Sequence, residues 1–354
     1  MKILHRSILK ELTFLFILTL AFLNLILMME KLLRLSRFLS GVGASIMDMI
    51  KLIFYLQPQL LLLTIPMALL LSTLLTYGRL NLDSELVILK ASGMDFKGIS
   101  KPVFILGTLC FLLNIAVSLY IGPKSSIWLR DEIKSVITAR LPMAIEEGTF
   151  NTSFKDIVIM IREKPSQDTF RGIFIYDGRN KNEPKVLTAK DGRIYMSEGL
   201  NTNLNLTEGN IHIAKGSSTT ELFFERYNMT LRLESDLPSK KNTELSPFEL
   251  LKEIKERPQH DLSLELELHR RLSLPLLCII LTFLGPPLSL MAGKAGRLGG
   301  LSLGLGVFTI YYVLLIYGEN LVKAGKISHY VGAWAPTIIM GLLGLYLFRR
   351  ASNR

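Results

Sequence analysis

Residues 11–29 read ELTFLFILTLAFLNLILMM. One acid opens this run, and one asparagine and two threonines are its only other polar residues. A hydrocarbon core of about 30 Å needs roughly 20 such residues in a helix, so the run is long enough to cross a bilayer. Five more stretches are comparable: 52–77, 101–122, 272–291, 300–318 and 330–348. Three spans precede, and three follow, a polar block rich in β-branched residues. The chain therefore reads as an α-helical membrane bundle of six transmembrane helices (3+3) with an inserted all-β domain. That layout suits a hydrophobic substrate that leaves the membrane and continues through water.

The 354 residues accommodate one bundle and one domain of about 100–130 residues. The segments fall at 1–123 (spans one to three), 124–245 (the β domain with its connections) and 246–354 (linker helices and spans four to six). The net charge of +11 is explained by loops rather than by nucleic acid. Lys2, His5, Arg6 and Lys10 precede the first span, and Arg79, Lys90, Lys97 and Lys101 lie in the loop 78–101. Lys294 and Arg297 lie between spans four and five, and Arg349, Arg350 and Arg354 close the chain. Alternating spans put all of these on one side, which the positive-inside bias makes cytoplasmic, with both termini. The block 124–270 then lies outside. Cys110 and Cys278 both fall within spans and read as small buried hydrophobes, so the β domain needs no disulfide. The first apolar run is long and lacks a small-residue cleavage site, so it reads as a retained anchor.

In the polar block the period changes. Asp156–Arg162, Arg171–Asp177, Asn203–Thr207, Asn210–Ala214, Leu222–Tyr227 and Met229–Glu234 read as short strands, with Glu208-Gly209 as a turn between two of them. Such spacing predicts an antiparallel sandwich or open barrel. Helical patterning returns over 244–271. Ser246-Pro247 opens a helix, Leu250, Leu251 and Ile254 line one face, Pro258 ends it, and Asp261 caps the next.

Catalytic signatures are missing from the sequence. No G-x-x-x-x-G-K-[ST] phosphate loop exists, since Gly293-Lys294 is followed by Ala295. The five histidines show no metal-ligand spacing, and His269 reads as an interfacial residue. Polar residues within the spans are sparse: Asn24 and Asn114, with Glu319 and Asn320 at a span end. An ion-coupled transporter needs intramembrane acids, so that alternative is disfavoured, while a membrane scaffold with an extracytoplasmic β-sandwich stays open.

Three features carry the functional reading, each beside a plainer one. Lys31, Arg34 and Arg37 recur at helical spacing where the first span runs outward. They are either snorkelling cations or a collar for the phosphates of an anionic amphiphile. The segment 77–93 holds a short helix over about 81–92, capped by Asp83 or Ser84, with Glu85 in its first turn and Gly93 closing it. It is either an interfacial helix or a coupling helix docked on a cytoplasmic motor. Gly300, Gly304 and Gly306 make the fifth span either a close-packed helix or a seam that opens sideways. Pro58 and Pro66 kink the second span and free carbonyls within it.

Several runs in order resemble the lipopolysaccharide export permeases, the LptF/LptG family. They are Pro66–Leu71, Tyr77-Gly-Arg-Leu80, Ser84-Glu85-Leu86, Ala91-Ser-Gly93, Gly122-Pro-Lys-Ser-Ser126, Arg130-Asp-Glu132, Glu147-Gly-Thr-Phe150, Glu267–Pro275, Pro286-Pro-Leu-Ser289 and Gly296-Arg297. Gly122–Ser126 and Glu147–Phe150 look closer to the F-type than the G-type subunit. The resemblance implies a non-catalytic permease subunit of an ABC transporter in the inner membrane of a Gram-negative bacterium. It implies a heterodimer with a sister permease and a cytoplasmic ATPase dimer that binds the ATP, with no cofactor in this chain. Lipopolysaccharide is extracted from the membrane and handed to a single-span periplasmic jellyroll protein, and the inserted domain is itself a periplasmic β-jellyroll. Carried over by position, Glu85, with Ser84 and Arg79, faces the ATPase. Lys31, Arg34 and Arg37 contact lipid phosphate, and Gly300, Gly304 and Gly306 lie at a lateral gate.

Overall fold

The computed structural model describes residues 2–40, 45–144, 146–154, 156–166, 168–180, 183–196, 202–215, 218–231, 241–256, 262–292 and 296–353. Six helices are long and apolar enough to span a membrane. They are α1 (Lys2–Ser40), α2 (Ile46–Leu82), α4 (Phe96–Ala116) with its continuation α5 (Gly122–Ala144), α8 (Leu262–Ala292), α9 (Gly296–Lys323) and α10 (His329–Ser352). Short helices α3 (Glu85–Ala91), α6 (Lys241–Glu244) and α7 (Pro247–Glu256) complete the helical part. Residues 124–144, counted with the polar block on sequence, continue the third span as helix, and the strands begin at Phe150. Pro258 and Asp261 lie outside the described residues.

The chain forms two compact units. The first comprises Met1–Met29, Leu56–Ile127 and Lys241–Arg354. Its central helices are α2 and α8, whose apolar windows are 72% and 67% buried, against 17% for α1 and 22% for α9.

Prolines shape this helical unit. A proline inside a helix leaves the carbonyl four residues back without its N–H partner, and hydrocarbon offers no water in exchange. Pro66 in α2 frees the Leu62 carbonyl, and Asn114 Nδ2 on α4 donates to it at 3.3 Å. Pro275 in α8 frees Arg271, and Ser118 Oγ donates to that carbonyl at 2.8 Å. Pro102 in α4 frees Gly98, and His5 Nε2 on α1 bonds its carbonyl at 2.8 Å. A carbonyl only accepts, so the His5 proton sits on Nε2. Pro336 in α10 frees Gly332, which packs so closely on Gly318 of α9 that a Cβ on Gly318 would stand 2.7 Å from this oxygen. Ser118 reaches Arg271 from a π-helical turn, Val117–Ile121. There Gly122 N–H bonds Val117 O, five residues back, and Pro123 follows with no N–H to give.

The second unit comprises Glu30–Tyr55 and Trp128–Lys240. It holds one antiparallel sheet with its strands in sequential order, β1 (Phe150–Phe154), β2 (Ile157–Ser166), β3 (Thr169–Asp177), β4 (Lys185–Met196), β5 (Thr202–Lys215) and β6 (Ser218–Leu231). Each pairs with the next as a hairpin meander. Ile157, Ile159, Ile161, Ile173, Ile175, Leu187, Leu204, Leu206 and Met229 share one core with Leu35, Leu52, Ile133 and Val136 from the helices of this unit.

Two pairs of segments that the sequence separates are single strands. Asn203–Thr207 and Asn210–Ala214 both lie in β5, and Leu222–Tyr227 and the start of Met229–Glu234 both lie in β6. The buried parity changes partway along β3, β4 and β5. On β5 it passes from Leu204 and Leu206 to Ile211, and on β4 from Leu187 and Ala189 to Gly192 and Ile194. Gly172 on β3 and Glu208 on β5 have positive φ at this level, 60° and 50°. Pairing keeps its register across the change, with Asp191 opposite Thr207 and Ala189 opposite Gly209. The sheet therefore bends along a line instead of ending there.

The bend curls the sheet. Arg179, two residues past β3, clasps Asp177 at 2.8 and 2.6 Å and donates to the Thr230 carbonyl on β6 at 3.1 Å. In a flat sheet β3 and β6 would stand about 14 Å apart, three spacings of roughly 4.8 Å. Burial pushes the Asp177 carboxyl up, but the hydrogen bonds and charge of Arg179 outweigh it and hold the group below its ordinary range.

Two outcomes follow. Asn114→Leu strands the Leu62 carbonyl and lowers stability by about 1 kcal/mol. Pro66→Ala restores the missing N–H, so the loss shrinks in that background, as thermal unfolding in detergent would read. Asp177 stabilises the fold above its unfolded value and loses this as pH falls through its lower folded value. Asp177→Asn should then flatten the acid limb of stability below about pH 4, checked by acid titration of the folded signal.

Candidate functional site

The loop between α2 and α4 is organised by one guanidinium. Arg79, in the last turn of α2, grips Glu11 of α1 with Nε and Nη2, each at 2.7 Å. Its Nη1 reaches Asp83 at 3.0 Å and Glu85 at 2.9 Å. One cation thus meets three carboxylates, and the forked contact with Glu11 is the stronger geometry. Tyr77 OH, two residues earlier, donates to the Ile99 carbonyl of α4 at 2.7 Å and fixes the base of the loop.

The short helix α3 begins at Glu85, so residues 81 and 82, placed in it on sequence, close α2 instead. Neither Asp83 nor Ser84 caps it through a side chain. Ser84 takes the N-cap position in the left-handed region, at φ 58°, with no side-chain capping bond. The carboxylate of Asp83 is engaged by Arg79, and the tight reversal after α2 sets the Ser84 backbone. The far end is as expected. Gly93 at φ 86° sends its N–H to Lys90 O at 3.0 Å, and Met94 N–H reaches Leu89 O at 3.1 Å, which is a Schellman closure. Leu86 is buried, while Val87 and Ile88 are 61% and 65% exposed beside the half-exposed Glu85. The helix offers an apolar knob with an acidic edge.

In the second unit Arg34 pairs with Glu30 at 3.2 Å, both side chains being more than half exposed. Among the described residues Lys31 has no ion pair. Glu30 therefore offsets part of the positive charge that sequence assigned to this turn. The Arg37 side chain lies outside the described residues.

The three glycines of α9 separate. A Cβ on Gly304 would stand 2.7 Å from both Leu71 and Leu74 of α2, and one on Gly300 would stand 3.5 Å from the Leu74 carbonyl. These two pack α9 onto α2 within the chain. Gly306 meets nothing within 4 Å. It shares the outward side of α9 with Ile310, Val313 and Tyr317, about 60% exposed. Phe14, Phe22 and Leu25 of α1 are similarly bare.

His269, an interfacial residue on sequence, belongs to a polar cluster on α8. Arg271, 4% exposed, donates to the carbonyls of Leu245, Asn242 and Thr243 at 2.7–3.1 Å and binds Glu267 at 3.1 Å, tying the linker helices to α8. His269 stacks on His329 and accepts from Trp334 Nε1 at 3.3 Å, and His329 pairs with Glu265 at 2.7 Å. The signal was two pairs four residues apart, Glu265 with His269 and Glu267 with Arg271, but their further partners lie on distant segments. Among the described residues no His, Cys, Asp and Glu group suits a metal ion.

A family model described as lipopolysaccharide export system permease LptF/LptG matches residues 6–350. The uncharacterized protein RP871 of Rickettsia prowazekii (strain Madrid E) is 26% identical over 322 residues, 88% of each chain. The lipopolysaccharide export system permease protein LptF of Escherichia coli (strain K12) is 24% identical over 155 residues, 43% of this chain and 42% of that protein.

Leucine at position 304 should part α2 from α9 and cost about 1–3 kcal/mol. Leucine at position 306 meets open space and should leave folding unchanged. Paired melting curves of Gly304→Leu and Gly306→Leu check the contrast.

Proposed function

We propose, from the premise that this chain belongs to the LptF/LptG family of lipopolysaccharide export permeases, that it is the F-type subunit of an ATP-driven extractor. It is a multi-pass membrane protein of an export system. The finer reading places it in a bacterial inner membrane with both termini cytoplasmic. There it pairs with a sister permease and a cytoplasmic ATPase dimer, and its periplasmic β domain passes lipid to a single-span jellyroll partner.

Energetics support the division of labour. A lipid holds to the bilayer by about 0.8 kcal/mol per buried CH₂, so several acyl chains leave only with an external energy source. The sequence has no phosphate loop, so that source belongs to another chain. The observation that carries the reading is α3: a short helix between two spans, with Val87, Ile88 and Glu85 turned outward. An apolar knob with an acidic edge fits a groove that supplies a cation. The bare faces of α1 and α9 fit a sister helix bundle and lipid. Lys31 and Arg34 would meet lipid phosphate, and Gly306, unlike Gly300 and Gly304, lies where a seam could open. At the edge of the sheet, β6 exposes Leu222 and Phe223, which suits pairing with a further strand.

Purified alone, the chain should hydrolyse no ATP. With the ATPase and sister permease it should co-purify and release lipopolysaccharide from proteoliposomes on ATP addition. Glu85→Lys sets a second cation beside Arg79 and should cut ATPase co-purification and lipid release about tenfold or more. Glu85→Gln should fall between. Wild-type assembly and release in the lysine variant would sink the coupling role.

A further inference from the structure

Among the six spans α1 is the least embedded in its own chain, with 17% of its apolar window buried. It packs on the unit along one stripe centred on Ile8, Leu12, Phe16 and Leu23, with Leu4, Leu9 and Leu20 partly buried beside them. Polar ties from His5, Glu11 and Thr19 reinforce the stripe. His5 bonds Gly98 O at 2.8 Å, Thr19 reaches Ala68 O at 3.4 Å, and Glu11 receives the Arg79 fork at 2.7 Å twice. Among these bonds of the described residues, the last leads to α3, because the same guanidinium holds Asp83 and Glu85 through Nη1.

The sharing of Nη1 matters. Were an outside cation to take Glu85, Asp83 would still occupy Nη1, and Nε and Nη2 would stay on Glu11. Arg79 thus remains attached to α1 whichever carboxylate it holds on the loop side. The planar guanidinium fixes the angle between the two contacts, which a lysine would leave free. Asp83 and Ser84 are the only residues between α2 and α3. A shift of α3 therefore bears directly on the turn that carries Arg79.

We infer that the Arg79–Glu11 pair is a strut that transmits displacement of α3 to α1, and that Glu11 is a positioning residue for transport. This rests on the reading of α3 as the docking point of a nucleotide-driven partner. The strut makes α1, the loosest helix, the one that follows the motor, while the proline-linked α2, α4 and α8 stay in place.

The test uses the full complex with its ATPase in lipid nanodiscs. Cys110 and Cys278 are buried, so spin labels go to introduced cysteines. One label pair joins Ile17→Cys on α1 to Ile338→Cys on α10, and a second joins Ser92→Cys after α3 to Ile338→Cys. Distances are read by pulsed electron resonance with and without a non-hydrolysable ATP analogue. In the wild type both distances should change. In Glu11→Ala the Ser92 distance should still change, while most of the Ile17 change is lost. Lipid-stimulated ATPase should fall in parallel, with basal ATPase and co-purification kept. Glu11→Asp, which preserves the charge, should recover part of the Ile17 response. If Ser92 responds and Ile17 follows it fully in Glu11→Ala, the strut is wrong and the docking reading stands. If Ser92 does not respond in the wild type, both fall together.

Discussion

A carbonyl stranded in hydrocarbon is the constraint on which the helical unit depends. Seven of its described prolines stand inside spanning helices where an N–H should be: Pro58, Pro66, Pro102, Pro275, Pro286, Pro287 and Pro336. Leaving a buried acceptor unpaired costs about 1–3 kcal/mol, and no lipid can supply the donor. Asn114, Ser118 and His5 answer three of these losses, each from a different helix or turn than the proline it serves. The bonds do two things at once. They let α2, α8 and α4 bend, and they specify which neighbour each bend must face. Asn114 illustrates the economy, since it touches Leu62 O on α2 and Cys278 Sγ on α8. One amide therefore sets the mutual position of three spans.

How much of this was legible depends on the range of the interaction. The spans needed only length and composition, so all six are where apolar runs predict them. Pro66 and Asn114 each stand out as anomalies in the sequence, yet the bond from Asn114 to the Leu62 carbonyl that Pro66 frees joins residues 52 positions apart, and no local pattern records it. His5 and Ser118 gave no signal, because a histidine near the chain start and a serine at a span end look ordinary. The strand content was equally plain, but the strand count was not. Glu208-Gly209 has the composition of a turn, and alternation changes parity there, as it would at a strand end. Only the cross-strand register, unbroken from Thr207 to Gly209, shows a bend. Arg79 presented the same difficulty in charged form. Its i+4 and i+6 partners Asp83 and Glu85 were within local reach, whereas Glu11 lies 68 residues away.

The candidate site shows why residue type alone assigns a role poorly. Three glycines in one helix looked equivalent, and they face different surroundings. Gly300 and Gly304 are small because α2 leaves no room, so packing within the chain accounts for them. Gly306 has room to spare, and nothing inside the chain explains its size. The collar divides similarly. Arg34 is partly neutralised by Glu30, while Lys31 has no ion pair among the described residues.

These separations fit one mechanical picture of the helical unit. Helices that must hold their shape share polar joints and are buried on most of their apolar surface, as α2 and α8 are. The less embedded helices are attached along one side, α1 by an apolar stripe and α9 to α2 by Gly300 and Gly304. Dispersion gains accumulate over many atom pairs, so a helix touching along one stripe can shift at much smaller cost than a helix packed all round. Lipid tails are as apolar as leucine, and exposing the bare faces to them costs little. The polar ties then decide direction rather than strength. On α1, the fork from Arg79 connects Glu11 to the turn between α2 and α3 and so to Glu85.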